Sequence, residues 1–184
     1  ALNNANAQYN LGYRYQSGLG VKKDPKEAFA WYQKAALQGH RSAQYQMGVN
    51  YALGHGVEKN ISQSIYWYQQ AADLGDKDAQ YNLAVRYHNG EDGLPKDIKK
   101  AVYYYQKSAE QGHPYAQYQL AYAYDHGVLS LAKNPKKAFH WYQKSALNKH
   151  EIGQYMTAFM YSKGKGTEKD DQQALYWYTQ SAEQ

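Results

Sequence analysis

The sequence predicts an all-α protein built from five tandem helix-turn-helix repeats of 36–37 residues. Two markers recur in register along its 184 residues. An aromatic pair recurs at spacings of 36, 37, 37 and 36 residues, from Trp31-Tyr32 to Trp177-Tyr178. Periods of this length are typical of solenoids, in which each unit buries its apolar face against the next. The second marker is a glutamine in an AQY-like segment, found as Gln8, Gln44, Gln80, Gln117 and Gln154.

The first helix of each repeat is predicted from the segment that precedes a recurring glycine. In the first copy the helix extends from about Ala5 to Ser17, where Ala7, Leu11 and Tyr15 recur with the spacing of one helix face. Glycine readily adopts the left-handed conformation that ends a helix. The helix-ending glycines are Gly18, Gly54, Gly90, Gly127 and Gly164.

The second helix is predicted to begin at an Asp or Asn seven residues before each aromatic pair. These side chains accept hydrogen bonds from the free amides of a first helical turn. Pro25 and Pro135 follow directly, at the helical position where proline is best tolerated. The helix ends near Gly39 and its equivalents, although the fourth repeat has Lys149 there. The capping residues are Asp24, Asn60, Asp97, Asn134 and Asp170.

The composition indicates a core of alanines and of rings that carry a polar group. The chain has 22 Tyr and 4 Trp but only 3 Phe, and its mean hydropathy is −0.93. In the second helix Ala28, Trp31, Ala35 and Ala36 form the predicted buried stripe. No apolar run approaches the roughly 20 residues of a membrane span, and the absence of Cys excludes disulfides and thiolate metal sites.

The repeat sequence also resembles a known family. The string A-x-Y-x-L-G-x-x-Y-x-x-G-x-G-V, followed by D-P-x-x-A-x-x-W-Y-x-K-A-A-x-x-G, is read from Ala7 to Gly39. It resembles the Sel1-like repeat (SLR) family, whose α-solenoids are related to the tetratricopeptide repeat. The resemblance implies one right-handed α/α superhelical domain over residues 1–184. Its five repeats would span about 1–36, 37–72, 73–109, 110–146 and 147–184.

The resemblance also carries expectations about function and context. Members of this family act as adaptor scaffolds, so it implies a protein or peptide partner. Bacterial members are often exported, which favours a periplasmic or secreted location and leaves a cytoplasmic one open. Solenoids normally end in altered polar repeats. Since neither end of this sequence shows such a repeat, we expect it to be a fragment of a longer array.

A partner is expected on the concave face, because the first helices line that face in the tetratricopeptide relatives. One position on it is Tyr in all five copies, which also fits a packing role within the repeat. The neighbouring positions vary between copies and are the better candidates for specificity. The predicted partner-binding residues are Tyr9, Tyr13, Tyr45, Val49, Tyr81, Val85, His88, Tyr118, Tyr122, Tyr155 and Phe159.

Catalysis is not predicted. None of the seven His has a second ligand at a metal-site spacing, and we expect the glycines that recur with the repeat to serve turns and not a phosphate-binding loop. We therefore expect no catalytic residue, no metal site and no cofactor.

The net charge of +5 leaves an alternative function open, which is binding of a polyanion through the lysine-rich loop edge. Lys22, Lys23, Lys136 and Lys137 belong to that edge. Specific nucleic-acid recognition is not expected, because the predicted groove has almost no basic residues.

Overall fold

The computed structural model describes residues 4–184, which form ten α-helices and no β-strand. The predicted fold class is therefore confirmed. Helices with odd numbers are the first helices of the five repeats, and helices with even numbers are the second. The helices are α1 (Ala5–Ser17), α2 (Pro25–Leu37), α3 (Arg41–Leu53), α4 (Ile61–Asp73), α5 (Lys77–Asn89), α6 (Ile98–Glu110), α7 (Pro114–His126), α8 (Pro135–Leu147), α9 (Glu151–Lys163) and α10 (Asp171–Ala182).

Contacts between residues divide the described chain into two compact units. Unit 1 comprises the described residues up to Leu83 together with Glu91–Leu94. Unit 2 comprises Ala84–Gly90 and Pro95–Gln184. The boundary falls within α5. Within the units, α1, α3, α7 and α9 each pack against the second helix of the same repeat, and α3, α7 and α9 also pack against the preceding second helix.

The predicted caps of the second helices are present. Asp24 Oδ1 accepts hydrogen bonds from Lys26 N at 2.9 Å and Glu27 N at 3.1 Å, which satisfies two of the free amides at the start of α2. The same role falls to the other four predicted residues, Asn60, Asp97, Asn134 and Asp170.

Left-handed residues close the helices at the predicted positions. Gly18, at the end of α1, has φ of 78° and its amide donates to Arg14 O. The second residue after each of the first four second helices is also left-handed, with φ of 81° at Gly39. Lys149 keeps this conformation, with φ of 61°, although it is not a glycine. The turn is therefore maintained in the fourth repeat at the cost of backbone strain.

The core differs from the prediction in which member of the aromatic pair is buried. Tyr32, Tyr68, Tyr105 and Tyr142 are at most 3% exposed, whereas Trp31 is only half-buried. The tyrosine faces the small residue of the first helix, since a Cβ on Gly12 would lie 2.7 Å from Tyr32 Cδ1. In repeat 2 both members, Trp67 and Tyr68, are buried, and in the last repeat the pair reverses, so that Trp177 is the buried member.

The first helices form the predicted apolar stripe only where a preceding second helix covers them. Met47, Leu83 and Leu120 are fully buried, but the equivalent Leu11 of α1 is 37% exposed. In the divergent fifth repeat, Gly153 allows close approach to Ser145, whose Oγ would lie 2.6 Å from a Cβ there. That departure from the repeat pattern therefore fits its local packing.

Candidate functional site

The recurring tyrosine of unit 1 packs within its own repeat. The ring of Tyr9 lies 5.5 Å from that of Tyr32 and stacks on His40 at 4.7 Å between centroids. Tyr45 lies 5.8 Å from Tyr68 in the same way. Burial raises the pKa of Tyr45 to about 12, with smaller contributions from neighbouring acidic groups. These rings are therefore part of the repeat interior as well as of the predicted face.

Unit 2 repeats this arrangement. Tyr118 lies 5.8 Å from Tyr142 and 5.1 Å from His150, and burial raises the pKa of Tyr118. Tyr155 packs on Tyr178 at 5.6 Å but is 50% exposed. The position that is always tyrosine thus has a packing role in both units, and in the fifth repeat its ring also reaches solvent.

The variable neighbours on the first helices include the more exposed rings. Tyr13 of α1 is 50% exposed and Tyr122 of α7 is 41% exposed. Tyr122 stacks on His126 with centroids 4.1 Å apart and lies 6.4 Å from Tyr118. Because stacking limits its motion, the Tyr122 ring presents a fixed aromatic surface to solvent.

The remaining predicted residues are half-buried. Phe159 packs against the unit 2 cluster that contains Tyr142 and Met160. His88 Nδ1 lies 3.4 Å from the hydroxyl of Tyr105, and burial lowers the pKa of His88. Val49, Tyr81 and Val85 are also half-buried. The structure therefore distributes the predicted set between the two units, with Tyr9, Tyr13, Tyr45, Val49 and Tyr81 in unit 1 and the rest in unit 2.

Histidine caps are a feature that the sequence analysis missed. His40 Nδ1 accepts a hydrogen bond from Ala43 N at 3.1 Å, at the start of α3. His113 and His150 do the same for α7 and α9, at 3.2 and 3.0 Å. Burial lowers the pKa of His40 and of His150, which favours the neutral ring that can accept. The sequence feature that could have predicted these caps is the shared position of the three histidines, directly before a first helix.

A second exposed aromatic row was also missed. It lies on the second helices, one residue before the aromatic pair, where Tyr103 is 52% exposed. Its rings pack edge-on against the first member of the pair, as in Tyr103 on Tyr104 at 5.1 Å. Lysines lie over some rings of these helices, such as Lys107 over Tyr103 and Lys144 over Trp141. In unit 2 the row comprises Tyr103, His140 and Tyr176, and in unit 1 Tyr66 has the equivalent position.

The basic loop residues Lys22, Lys23, Lys136 and Lys137 are all exposed. The ammonium group of Lys137 lies 5.1 Å from the ring centre of Tyr124. Among residues 4–184, no group of three or more acidic or histidine side chains could hold a metal ion. None of the described helices is long and apolar enough to cross a membrane.

Comparison with known protein families finds one family model that matches five consecutive segments of the chain. The Sel1 repeat model matches residues 5–40, 41–76, 77–113, 114–150 and 152–184. These matches begin four or five residues later than the repeats predicted above. No curated protein sequence is significantly similar to the chain.

Two solved structures are closely similar. A Sel1 repeat protein from Oxalobacter formigenes is 37% identical, with a TM-score of 0.90 over 100% of this chain and 74% of its own. A protective antigen of uropathogenic Escherichia coli strains is 38% identical, with a TM-score of 0.86 over 97% of this chain. This chain spans only 38% of the length of that antigen.

Sel1 repeat proteins are generally non-catalytic scaffolds for protein–protein interaction. Five matched repeats cover nearly all of this sequence, in agreement with its ten helices and its repeated caps. The chain therefore belongs to the Sel1 repeat family.

Proposed function

We propose that this protein is an interaction scaffold that binds a peptide or a protein segment on the exposed face of its first helices. The observation that carries the proposal is the pair of exposed rings Tyr122 and Tyr155 in unit 2, each beside a half-buried tyrosine of its repeat. Tyrosine offers a large contact area with little conformational entropy to lose, and such residues are common binding hot spots.

Specificity is assigned to the positions at which the repeats differ. Tyr13, Val49, Val85, Tyr122 and Phe159 are equivalent residues of the five first helices. Their side chains range from aliphatic to aromatic and from half-buried to exposed. A partner in contact with several of them would meet a different side chain at each repeat. The recurring tyrosine, in contrast, presents the same side chain at every repeat and so cannot distinguish one repeat from another.

Two other surfaces compete with this face. The second-helix row, which includes Tyr103, exposes aromatic rings of similar area. The lysine edge, which includes Lys136 and Lys137, would attract a polyanion through long-range electrostatics that salt weakens. The two surfaces therefore serve as comparisons in the test.

The test selects peptides from a displayed random library on the immobilised protein and measures their affinity by fluorescence anisotropy. We expect Tyr122→Ala and Tyr155→Ala each to weaken binding by more than about tenfold, which is the effect of losing a hot spot. Tyr103→Ala is the matched control, because it removes an equally exposed ring from a second helix. Thermal unfolding of each variant checks that the fold is intact.

Two results would contradict the proposal. One is a loss of affinity in Tyr103→Ala but not in Tyr122→Ala, which would place binding on the second helices. The other is a loss in a Lys136→Gln, Lys137→Gln double variant, accompanied by loss of wild-type binding at 0.5 M salt. That pattern would instead identify the lysine edge as the binding surface.

A further inference from the structure

We propose that a cleft between repeats 1 and 2 binds a carboxylate group. The inference rests on the proposed function for the source of that carboxylate, which would belong to the bound peptide or protein. The cleft lies in unit 1 and has a volume of about 180 Å³. The ends of α1 and α3, the start of α2 and the loop after α3 form it. Its lining residues are Gln16, Lys23, Pro25, Ala28, Asn50 and His55.

Asn50 is the first indication of a ligand. It lies in the last turn of α3 and is only 3% exposed, yet its side chain lines the cleft. Its backbone carbonyl accepts from Gly54 N and His55 N at 2.8 and 3.0 Å. Because this side chain lines the cleft, its amide can donate two hydrogen bonds to a polar ligand there.

The other polar lining groups are donors. Gln16 Oε1 accepts a hydrogen bond from the hydroxyl of Tyr32, which leaves the two N–H groups of its amide for another acceptor. Lys23 adds a positive charge. The nearby carboxylate of Asp24 is occupied by the amides at the start of α2. The cleft thus combines several donors with a cation, and no acidic residue lines it.

The equivalent junction in unit 2 holds a carboxylate of the chain itself. Asp125 corresponds to Gln16, since both lie two residues before the helix-ending glycine. Lys165 corresponds to His55, one residue after that glycine in the next repeat. Lys165 Nζ lies 2.6 Å from Asp125 Oδ1, and the Asp125 side chain is 3% exposed. A carboxylate is therefore compatible with this junction when a cation accompanies it.

The backbones of the two junctions match closely. Gly56 and Gly166 have φ of 74° and 76°. A Cβ on either would lie 1.9 or 2.1 Å from the carbonyl oxygen of Pro25 or Pro135, respectively. The junctions differ in their side chains, because unit 2 has Met160, fully buried, where unit 1 has Asn50. Unit 1 thus keeps the geometry but lacks an acid of its own at the position of Asp125.

Two sources could supply this carboxylate, an acidic side chain or the C-terminus of a peptide. Both are planar anions that accept several hydrogen bonds, which suits amide donors beside an ammonium group. The volume of the cleft exceeds that of a single water several-fold, since a water occupies about 30 Å³. It therefore has room for a carboxylate with a short carbon stem.

The experiment titrates the ¹⁵N-labelled protein and follows the side-chain amide signals of Gln16 and Asn50 by NMR. The probes are N-acetyl-glutamate α-amide for a side-chain carboxylate, N-acetyl-alanine for a terminal carboxylate, and N-acetyl-alanine amide as the neutral control. We expect saturable shifts with at least one of the first two probes and none with the third. The tighter carboxylate probe identifies the source.

Variants then test the assignment. Asn50→Met, which copies unit 2, and Lys23→Gln are each expected to weaken binding about tenfold, as for loss of a charge-assisted hydrogen bond. A Gln16→Asp, His55→Lys double variant supplies the junction with its own ion pair and should abolish binding. Lys133→Gln, at the position of unit 2 that matches Lys23, should have no effect. Thermal unfolding of each variant confirms folding.

Three results would overturn the proposal: no saturable shift, equal shifts with the neutral amide or with sulfate, or undiminished binding in folded Asn50→Met and Lys23→Gln. The proposed function is tested separately through Tyr122 and Tyr155 of unit 2. The failure of one is therefore distinguishable from the failure of the other.

Discussion

Gly56 approaches Pro25 so closely that a Cβ on Gly56 would lie 1.9 Å from the carbonyl oxygen of Pro25. Gly56 also has a positive φ of 74°. Gly20 occupies the same position in repeat 1 and has φ of 75°, but the nearest atom to its Cβ position is Arg14 Nη1 at 3.4 Å. Substitution of Gly20 therefore tests the effect of the positive φ alone, whereas substitution of Gly56 tests the positive φ together with the close contact to Pro25.

We expect Gly20→Ala to lower the free energy of unfolding by about 1–2 kcal/mol, the strain of a left-handed alanine. Gly56→Ala should cost about 1–3 kcal/mol more, because the methyl group displaces a neighbouring backbone. Chemical denaturation followed by circular dichroism measures both. Equal losses in the two variants would show that the contact with Pro25 contributes nothing.

Lys149→Gly is expected to stabilise the protein by about 0.5–1 kcal/mol. Lys149 has the left-handed φ of 61°, and glycine adopts this conformation without the steric penalty of a Cβ. Part of the gain is offset by the greater backbone entropy of glycine in the unfolded chain. Lys149→Ala keeps the strain and removes the charge, so a similar gain in that control would contradict the explanation.

The histidine caps predict lower stability in mild acid. Burial lowers the folded-state pKa of His40 and His150 below the ordinary value of about 6.5. Above pH 6.5 the rings are neutral in both folded and unfolded states, and the caps contribute fully. As the pH falls below 6.5 the unfolded state takes up protons first, so stability decreases. Protonation also places a cation at a helix N-terminus, which is unfavourable.

A His40→Asn, His150→Asn double variant tests this dependence, because asparagine caps helices and does not titrate in this range. It should lose less stability than the wild type between pH 7 and pH 5, as measured by urea unfolding at each pH. His126→Asn is the control, since His126 does not cap a helix N-terminus. A pH dependence that the double variant retains in full would assign the effect to other groups.

Lys165→Met should lower the free energy of unfolding by about 1.5–3 kcal/mol, the value of a hydrogen bond to a charged group. Removal of the ammonium leaves the Asp125 carboxylate buried without its partner at 2.6 Å. Adding Asp125→Gln to Lys165→Met should recover most of the loss, because the buried charge is then absent. A double-mutant cycle measures this coupling, and additive effects would contradict it.

The helices and their ends could be predicted from sequence because local chemistry determines them. Asp24 caps α2 and Gly18 ends α1 through hydrogen bonds and backbone conformation within the same segment, which do not depend on tertiary packing. The choice between Trp31 and Tyr32 for the core could not be predicted, since both lie near the apolar side of α2. That choice depends on the small Gly12 of α1, which only packing brings opposite the Tyr32 ring.

The candidate site was harder to predict than the fold. The recurrence of Tyr9 and its equivalents identified a position but could not reveal how far each ring is covered. The exposed fraction depends on partners such as His40, which are distant in sequence. The cap role of His40 was missed because histidine is not among the preferred capping residues. The cap role of His40 could be identified only from the hydrogen bond that Ala43 N donates to its Nδ1.

The difference between repeats of 36 and 37 residues is confined to the loop that joins the two helices of one repeat. That loop has seven residues in repeats 1, 2 and 5 and eight in repeats 3 and 4, whereas every turn from one repeat to the next has three. The loops within repeats therefore accept insertions without altering the register of the helices. Epitope tags or fluorophores placed beside Ser130 would leave the first helices undisturbed, so the array can be labelled for imaging while the proposed binding face is kept.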